Sequence, residues 1–173
     1  MINDKNFQNV TYLKVNDQVF KKSIIISEKK LFSMISYMKF SNCVFEDLCV
    51  SGWLINFSEF NNCVFKNVYF RKTEIRESTF NKCRFTDCVF IKAEISDSIF
   101  IESQFIQNIF RIAIVEKCDF IETIFNNSDL TKMIVANVRC YKLNLLAEIK
   151  EFSDSDDFGD ILKEINLASS DEE

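Results

Sequence analysis

Seven cysteines are the side chains of this sequence with the widest chemical repertoire. Cys43, Cys63 and Cys83 are spaced twenty residues apart, and Cys83 and Cys88 have a loose zinc-ligand spacing. A structural zinc ion needs four ligands, and the sequence has no histidine and no second cysteine pair to complete them. We therefore predict that these cysteines pack as small apolar side chains, and that the protein binds no metal and no cofactor.

Other catalytic constellations are missing as well. Without histidine there is no imidazole base for a triad, and two glycines leave no phosphate-binding loop, dinucleotide turn or nucleophile elbow. The acidic stretch from Asp154 to Asp160 resembles a calcium loop, but Ile165 stands where the bidentate glutamate belongs. The sequence predicts that the protein is not an enzyme.

Charge is distributed unevenly along the chain. Residues 1–150 contain twenty Lys and Arg against seventeen Asp and Glu, whereas residues 151–173 contain nine acidic residues and one lysine. A body without a strong basic excess is not expected to bind nucleic acid directly. No secretory signal or membrane-length apolar run is visible, and the odd cysteine count favours reduced thiols. We predict a cytoplasmic protein that binds no membrane.

The dominant sequence pattern has a period of five residues. From Phe40 to Val135 every fifth residue is apolar, and the residue two positions before it is mostly small. This period matches neither a helix nor a flat strand, but it fits a square coil whose sides are five residues long. Four sides give about twenty residues per coil, so residues twenty apart should stack at the strand spacing of about 4.8 Å.

Residues twenty apart are indeed alike. One column is β-branched, and the others are mainly phenylalanine. The columns are Ile55/Ile75/Ile95/Val115/Val135, Phe60/Phe80/Phe100/Phe120, Phe45/Phe65/Phe85/Phe105/Phe125 and Phe70/Phe90/Phe110. The small positions follow the same period, as in Cys43/Cys63/Cys83/Ser103/Thr123. A solenoid is therefore predicted.

The stretch NNCVFKNVYFRKTEIRESTFNKCRFTDCVF, residues 61–90, resembles the pentapeptide repeat family. Its repeat is a small residue, a polar residue, Leu or Phe, and two mostly polar residues; this chain prefers Phe. The resemblance covers about Phe40 to Leu145 and implies an all-β fold, a right-handed quadrilateral β-helix that is often dimeric.

Three segments follow from this pattern. We expect an irregular N-terminal coil and cap over 1–35, the β-helix over 36–147, and an acidic tail over 148–173. Bulky residues at small positions, such as Trp53 and Met133, should plug the two ends. In the tail, a short amphipathic C-terminal helix is predicted, with a face that could dimerise or dock. Its apolar residues at i, i+3, i+4 and i+7 are Phe158, Ile161, Leu162 and Ile165.

Outward-facing residues supply the candidate sites. An apolar stripe with arginines beside it is predicted to bind a protein partner. Its residues are Tyr69, Arg71, Val89, Ile91, Ile109 and Arg111. Further isoleucines are expected to cluster in the same region, namely Ile99, Ile101, Ile106, Ile112, Ile114, Ile121 and Ile124. The alternatives are plain β-propensity, docking of the tail helix, or homodimerisation.

A second candidate surface is acidic and is interrupted by Arg76 and Lys117. Its residues are Glu74, Glu77, Glu94, Asp97 and Glu116. The family resemblance implies a possible role here, because members that bind bacterial type II topoisomerases imitate a DNA rod in shape and negative charge.

The function predicted from these observations is non-enzymatic binding in the cytosol. The protein would mask or protect a macromolecular partner, with DNA gyrase as the precedent that the family resemblance supplies. Two alternatives remain at this point: an immunity protein for a cognate bacterial toxin, and a bacterial effector delivered into host cells.

Overall fold

Each five-residue unit forms one side and one corner of a square coil. The structure, a computed structural model, describes residues 13–21 and 34–146. In a representative unit, Phe60 is the buried centre of a three-residue strand and Asn62 makes the corner with φ 52°. Cys63 then points inward at the small position and is fully buried. The inward and outward positions predicted from the period are confirmed.

The described residues contain twenty short strands and no helix. In chain order the strands are β1 (Leu13–Asn16), β2 (Val19–Lys21), β3 (Met34–Ser36), β4 (Met38–Ser41), β5 (Val44–Glu46), β6 (Leu54–Asn56), β7 (Glu59–Asn61), β8 (Val64–Lys66), β9 (Glu74–Arg76), β10 (Thr79–Asn81), β11 (Arg84–Thr86), β12 (Glu94–Ser96), β13 (Ile99–Ile101), β14 (Gln104–Ile106), β15 (Ile114–Glu116), β16 (Asp119–Ile121), β17 (Ile124–Asn126), β18 (Ile134–Ala136), β19 (Arg139–Tyr141) and β20 (Asn144–Leu146).

Three sides of the coil are parallel sheets. The first sheet has the order β1-β4-β7-β10-β13-β16-β19, the second β2-β5-β8-β11-β14-β17-β20, and the third β18-β15-β12-β9-β6-β3. Pairing between regular coils has a register of twenty residues, as in Phe80 opposite Phe100 and Ile75 opposite Ile95. The predicted coil length is confirmed.

The fourth side, here named the bridge side, consists of single-residue bridges that join positions 49, 69, 89, 109 and 129. It follows the second sheet along each coil and ends in a β-turn. Thr73 N–H donates to Phe70 O at 3.0 Å, and Ala93 N–H donates to Phe90 O at 2.9 Å. Four sides, three laddered and one bridged, confirm the all-β quadrilateral solenoid.

Corners are made without proline and almost without glycine. Every fifth residue from Tyr37 to Lys142 has a positive φ, between 46° and 58° for all except Gly52 at 73°. Asn and Asp tolerate this left-handed conformation and fill many of the corners. Ile112, at φ 58°, is β-branched and is therefore strained there.

The interior is a set of stacked aromatic rings. Along the second sheet, Phe65, Phe85 and Phe105 stack with centroids 4.6 and 4.7 Å apart and ring planes within 8° of parallel. Rings on adjacent sides meet at a steep angle, as for Phe80 and Phe85 at 5.6 Å and 60°. The strand spacing therefore also sets the ring spacing, and this burial is the main stabilising term.

Small inward residues have a second role, which their size alone did not indicate. Ser78 Oγ donates to Arg76 O at 2.8 Å, and Ser78 N–H donates to Ser98 Oγ at 3.2 Å. Thr73 Oγ1 donates to Val50 O at 2.8 Å. These side chains satisfy backbone groups that the corners bury, where an unpaired group is costly.

Both ends depart from the regular coil. Val15 pairs with Phe40 and Phe20 with Phe45, so the register there is twenty-five residues. Trp53 is half-buried against the core and Met133 is buried. Most of the predicted N-terminal cap and the whole predicted C-terminal helix, Phe158 to Ile165, lie outside the described residues.

Candidate functional site

Several inward cysteines are held as protonated thiols, whereas the hydrogen bond with Cys83 lowers the pKa of Cys63. Burial raises the pKa of Cys88 and of Cys118 to about 12. Hydrogen bonding with Cys63, together with burial, raises the pKa of Cys83. A protonated thiol is a weak donor, and Cys83 Sγ donates to Phe60 O at 3.3 Å. Within the described residues no three His, Cys, Asp or Glu side chains are grouped to hold a metal ion.

The predicted partner-binding residues lie together on the bridge side. Tyr69, Val89 and Ile109 are bridged in one column, with Tyr69 46% exposed and the other two half-buried. Arg71, Ile91 and Arg111 occupy the first central position of the turns that follow. The structure thus brings all six residues onto one surface.

Lysines add to this surface, and the sequence analysis overlooked them. Lys72 and Lys92 occupy the second central position of two of these turns, and Lys132 has the same position in the turn that follows Leu130, all with positive φ. Together with Arg71 and Arg111 they form a row along the solenoid axis, here named the basic stripe. Within the described residues only Arg111 of this stripe forms a salt bridge, to Asp129 at 2.8 Å. The spacing of the three lysines by multiples of twenty residues could have identified them.

Exposed isoleucines border the basic stripe. Ile112 lies within the row of lysines, and Ile114 and Ile134 are paired in register on the third sheet. Their exposed fractions are 42%, 39% and 43%. These three residues, here named the apolar edge, make the surface both cationic and apolar.

The expected clustering of all outward isoleucines is wrong. Ile99, Ile101 and Ile121 lie on the first sheet, Ile106 and Ile124 on the second, Ile114 on the third, and Ile112 at the corner after the bridge side. The five-residue period predicts only that all seven side chains point outward. The place of each residue in its twenty-residue coil determines the side of the coil on which it lies. Only two of the seven belong to the apolar edge.

The acidic candidate residues lie on the third sheet and at its following corner. Glu74 is paired in register with Glu94, while Glu77 and Asp97 make successive corners. Two of the acids are paired with cations: Arg76 Nη2 lies 2.7 Å from Glu74, and Lys117 Nζ lies 2.9 Å from Glu116. The surface is therefore mixed in charge.

The first sheet pairs its cations with acids one coil away. Lys39 Nζ lies 2.7 Å from Glu59, and Arg139 contacts Asp119 at 2.6 Å. The corners after this sheet add the pairs Lys82–Glu102 and Lys142–Glu122, at 3.4 and 3.3 Å. The basic stripe has no comparable set of acids opposite it.

In the described part of the chain no helix has the length and apolarity needed to cross a membrane.

Comparison with known proteins supports the repeat. The pentapeptide repeats family (9 copies) matches residues 60–104. Similar solved structures include full-length QnrB1, a plasmid-mediated fluoroquinolone resistance protein, at 13% identity and a TM-score of 0.32, covering 87% of this chain and 98% of that chain. Rfr23 from the cyanobacterium Cyanothece 51142 is 7% identical, with a TM-score of 0.31 and coverage of 82% and 87%.

A third similar structure is HetL from Nostoc sp. strain PCC 7120, a protein involved in heterocyst differentiation regulation. It is 8% identical, with a TM-score of 0.29 and coverage of 80% and 86%. No curated protein matches the sequence. The family match over 60–104 coincides with the most regular coils, so this stretch of the chain is similar to pentapeptide repeats in both sequence and five-residue unit.

Proposed function

We propose that this protein is a non-enzymatic binding protein that contacts a macromolecular partner through its bridge side. One observation carries the proposal: the bridge side combines lysines that form no salt bridge among the described residues with exposed isoleucines, whereas the first sheet pairs Lys39 and Arg139 with acids. Surfaces that are both apolar and charged are typical of protein contacts.

The chemistry of this surface favours a partner that presents carboxylates beside apolar groups. Exposed ion pairs add little affinity but select the partner and speed association. Burying the apolar edge and Tyr69 would supply most of the binding energy, at about 25 cal/mol per Å² of apolar area.

The turns hold this surface in place before any partner arrives. Lys72 N–H donates to Ile91 O at 3.1 Å, and Lys92 N–H donates to Arg111 O at 3.2 Å. Each turn is thereby fixed to the next coil, and its side chains repeat at about the strand spacing of 4.8 Å. A preorganised surface of this kind loses little conformational entropy on binding.

DNA gyrase is the first partner to test, because the family resemblance supplies it. The acidic surface gives a second, competing mode of binding: Glu74 and Glu94 lie side by side, as a DNA mimic would require. The two modes use different sides of the coil and can be separated by substitution.

The test is a gyrase supercoiling assay with and without a fluoroquinolone. The wild-type protein should inhibit supercoiling or protect the enzyme from the drug at micromolar concentration. Tyr69→Asp on the bridge side should abolish the effect, since it places a carboxylate among the cations and removes an apolar contact. Tyr141→Asp is the matched control, because Tyr141 is also exposed but lies on the first sheet.

Glu94→Lys separates the two modes. It should leave activity intact if the bridge side binds, and loss with Glu94→Lys but not with Tyr69→Asp would assign binding to the acidic surface. If the wild-type protein has no effect on gyrase, that partner is wrong. A dedicated protein such as a bacterial toxin would then be sought.

A further inference from the structure

The lysines of the basic stripe form no ion pair with the described part of the solenoid, where Arg111 pairs with Asp129. Lys72, Lys92 and Lys132 form no salt bridge within the described residues, and the positions twenty residues away are again cationic or apolar. Lys72 and Lys92 lie on neighbouring coils, about 4.8 Å apart, and their like charges repel one another. An anionic segment lying along the stripe would relieve this repulsion.

The C-terminal segment has the complementary composition. Residues 151–173 contain nine acidic residues and one lysine, the strongest concentration of negative charge in the sequence. Six large apolar residues are interleaved with these acids, and Phe158 follows two aspartates. A segment with carboxylates beside apolar side chains matches cations beside the apolar edge in both properties.

The tail also starts in a favourable place. The last described strand, β20, ends at Leu146 on the second sheet, and the bridge side follows the second sheet in every coil. From that level, Lys72 lies four coils away, about 19 Å along the axis. Residues 147–157 can span up to about 36 Å when extended, so the acids beyond them reach the whole stripe.

We propose that residues 151–173 of this chain dock on the basic stripe and the apolar edge, and thereby cover the bridge side. Carboxylates of the tail pair with the lysines, and its apolar residues pack on Ile112, Ile114 and Ile134. A partner of the bridge side must then displace the tail. This last step rests on the proposed function, whereas the docking itself does not.

The test is zero-length carbodiimide crosslinking of the full-length protein, read by mass spectrometry. Amide crosslinks are expected between the three lysines of the stripe and tail acids such as Asp156, Asp157 and Asp160. They should fall steeply at 1 M salt, where the Debye length is about 3 Å. Combined substitution Lys72→Gln, Lys92→Gln and Lys132→Gln removes the reacting amines, so protection of tail amides from hydrogen exchange is measured as well and should be lost.

A control triple is available on the first sheet and its corners. Lys39→Gln, Lys82→Gln and Lys142→Gln remove the same charge from a surface that pairs it locally. This variant should keep the tail crosslinks and the exchange protection of the wild type. Equal loss in both triples, or no tail crosslink to the stripe in the wild type, would overturn the docking.

Mixing ¹⁵N-labelled and unlabelled protein shows whose tail occupies the stripe. Crosslinks within one copy support the proposal, and crosslinks of mixed mass would show instead that the tail docks on a second copy. The consequence for binding is read separately in the gyrase assay, where Asp156→Asn with Asp157→Asn and Asp160→Asn should raise potency. Docking without any gyrase effect would overturn that partner and leave the docking intact.

Discussion

The first sheet and the bridge side are built from the same repeat and yet present opposite surfaces. Inside, Phe80 stacks on its neighbours at 4.8 and 4.9 Å, and Phe90 stacks on its neighbours at 4.6 and 4.5 Å. Outside, the first sheet pairs Lys39 with Glu59, whereas the bridge side stacks Lys72 beside Lys92. The interior is set by the repeat, and the exterior is free to differ from side to side.

Backbone geometry accounts for much of this difference. On the first sheet, a three-residue ladder holds each outward side chain against the residue one coil away, so opposite charges can form a pair. On the bridge side, only one residue per coil is bridged, and the charged residues belong to the turn. Turn residues project into solvent, where a partner or the tail can reach them.

The strongest test of a shared interior is to remove one ring from each region. Phe80→Ala and Phe90→Ala should each lower the free energy of unfolding by about 3–5 kcal/mol, because both rings are almost fully buried. The midpoints of urea unfolding, followed by circular dichroism, provide the comparison. A much smaller loss for Phe90→Ala would mean that the bridge side is not held by the same core.

The stability of the protein at alkaline pH also compares the interiors of the two regions, because one buried thiol lies near each of them. Cys88 precedes the bridge side and Cys118 the first sheet, and burial raises the pKa of both to about 12. An unfolded thiol ionises near pH 8.5, so the stabilisation is fully present below that pH and is lost as pH rises towards 12. Between these two pH values, each thiol should lower the free energy of unfolding by about 1.4 kcal/mol per pH unit.

Cys88→Ser and Cys118→Ser should flatten this pH dependence equally, as measured by unfolding between pH 8 and 10. Cys49→Ser, at an exposed position, is the control and should leave the slope unchanged. Unequal slopes for the two buried positions would contradict the equivalence of the two regions.

Backbone strain is expected to distinguish the bridge side. Ile112→Asn should raise stability by about 1 kcal/mol, because asparagine tolerates the positive φ that a β-branched residue resists. Lys92→Asn, at the equivalent turn position one coil earlier, should gain less, since lysine is unbranched. The melting temperatures of the two variants test this expectation. A lower melting temperature for Ile112→Asn would show that the apolar contacts of Ile112 outweigh the backbone strain.

The smallest effect is expected from the surface charges themselves. Glu59→Gln breaks a half-exposed pair with Lys39 and should cost less than about 1 kcal/mol, with the difference from wild type disappearing at high salt. Lys72→Gln, which breaks no pair on the described solenoid and at most an exposed pair with the tail, should lower the melting temperature no more than Glu59→Gln does. A clear loss with Lys72→Gln would reveal an acidic neighbour of the stripe.

The interior could be predicted almost completely from the sequence. The place of a residue in the five-residue repeat predicts whether its side chain points inward or outward. Its place in the twenty-residue coil predicts the residue that it faces, as the pairing of Ile75 with Ile95 confirms. Both rules follow from burial, which allows only apolar or small residues inside. Asn108 is an exception, because it is buried at a position that is otherwise mostly small. Its Oδ1 accepts a hydrogen bond from Cys88 N–H at 2.8 Å.

The outer surface was predicted less well. The column of Tyr69, Val89 and Ile109 followed from the twenty-residue period, but Lys72 and Lys132 were overlooked and the isoleucines were wrongly grouped. Outward residues obey no burial rule, so composition does not reveal which side they occupy. Charge pairing depends on side-chain geometry, which periodicity does not encode.

The twenty-five-residue register at the first coil has a consequence for how such a chain can change length. Between the centres of β2 and β3 the chain has five residues more than between the corresponding strands of the regular coils. Within the regular coils, adding or deleting a five-codon unit would keep every later phenylalanine facing inward and move it to the neighbouring side. The five extra residues before β3, by contrast, leave the later strands in their own sheets. Any other insertion would turn the core outward from that point on. Insertion or deletion of whole five-residue repeats is thus compatible with the fold. Each such event would redistribute the outward residues among the sides of the coil and would keep the core apolar.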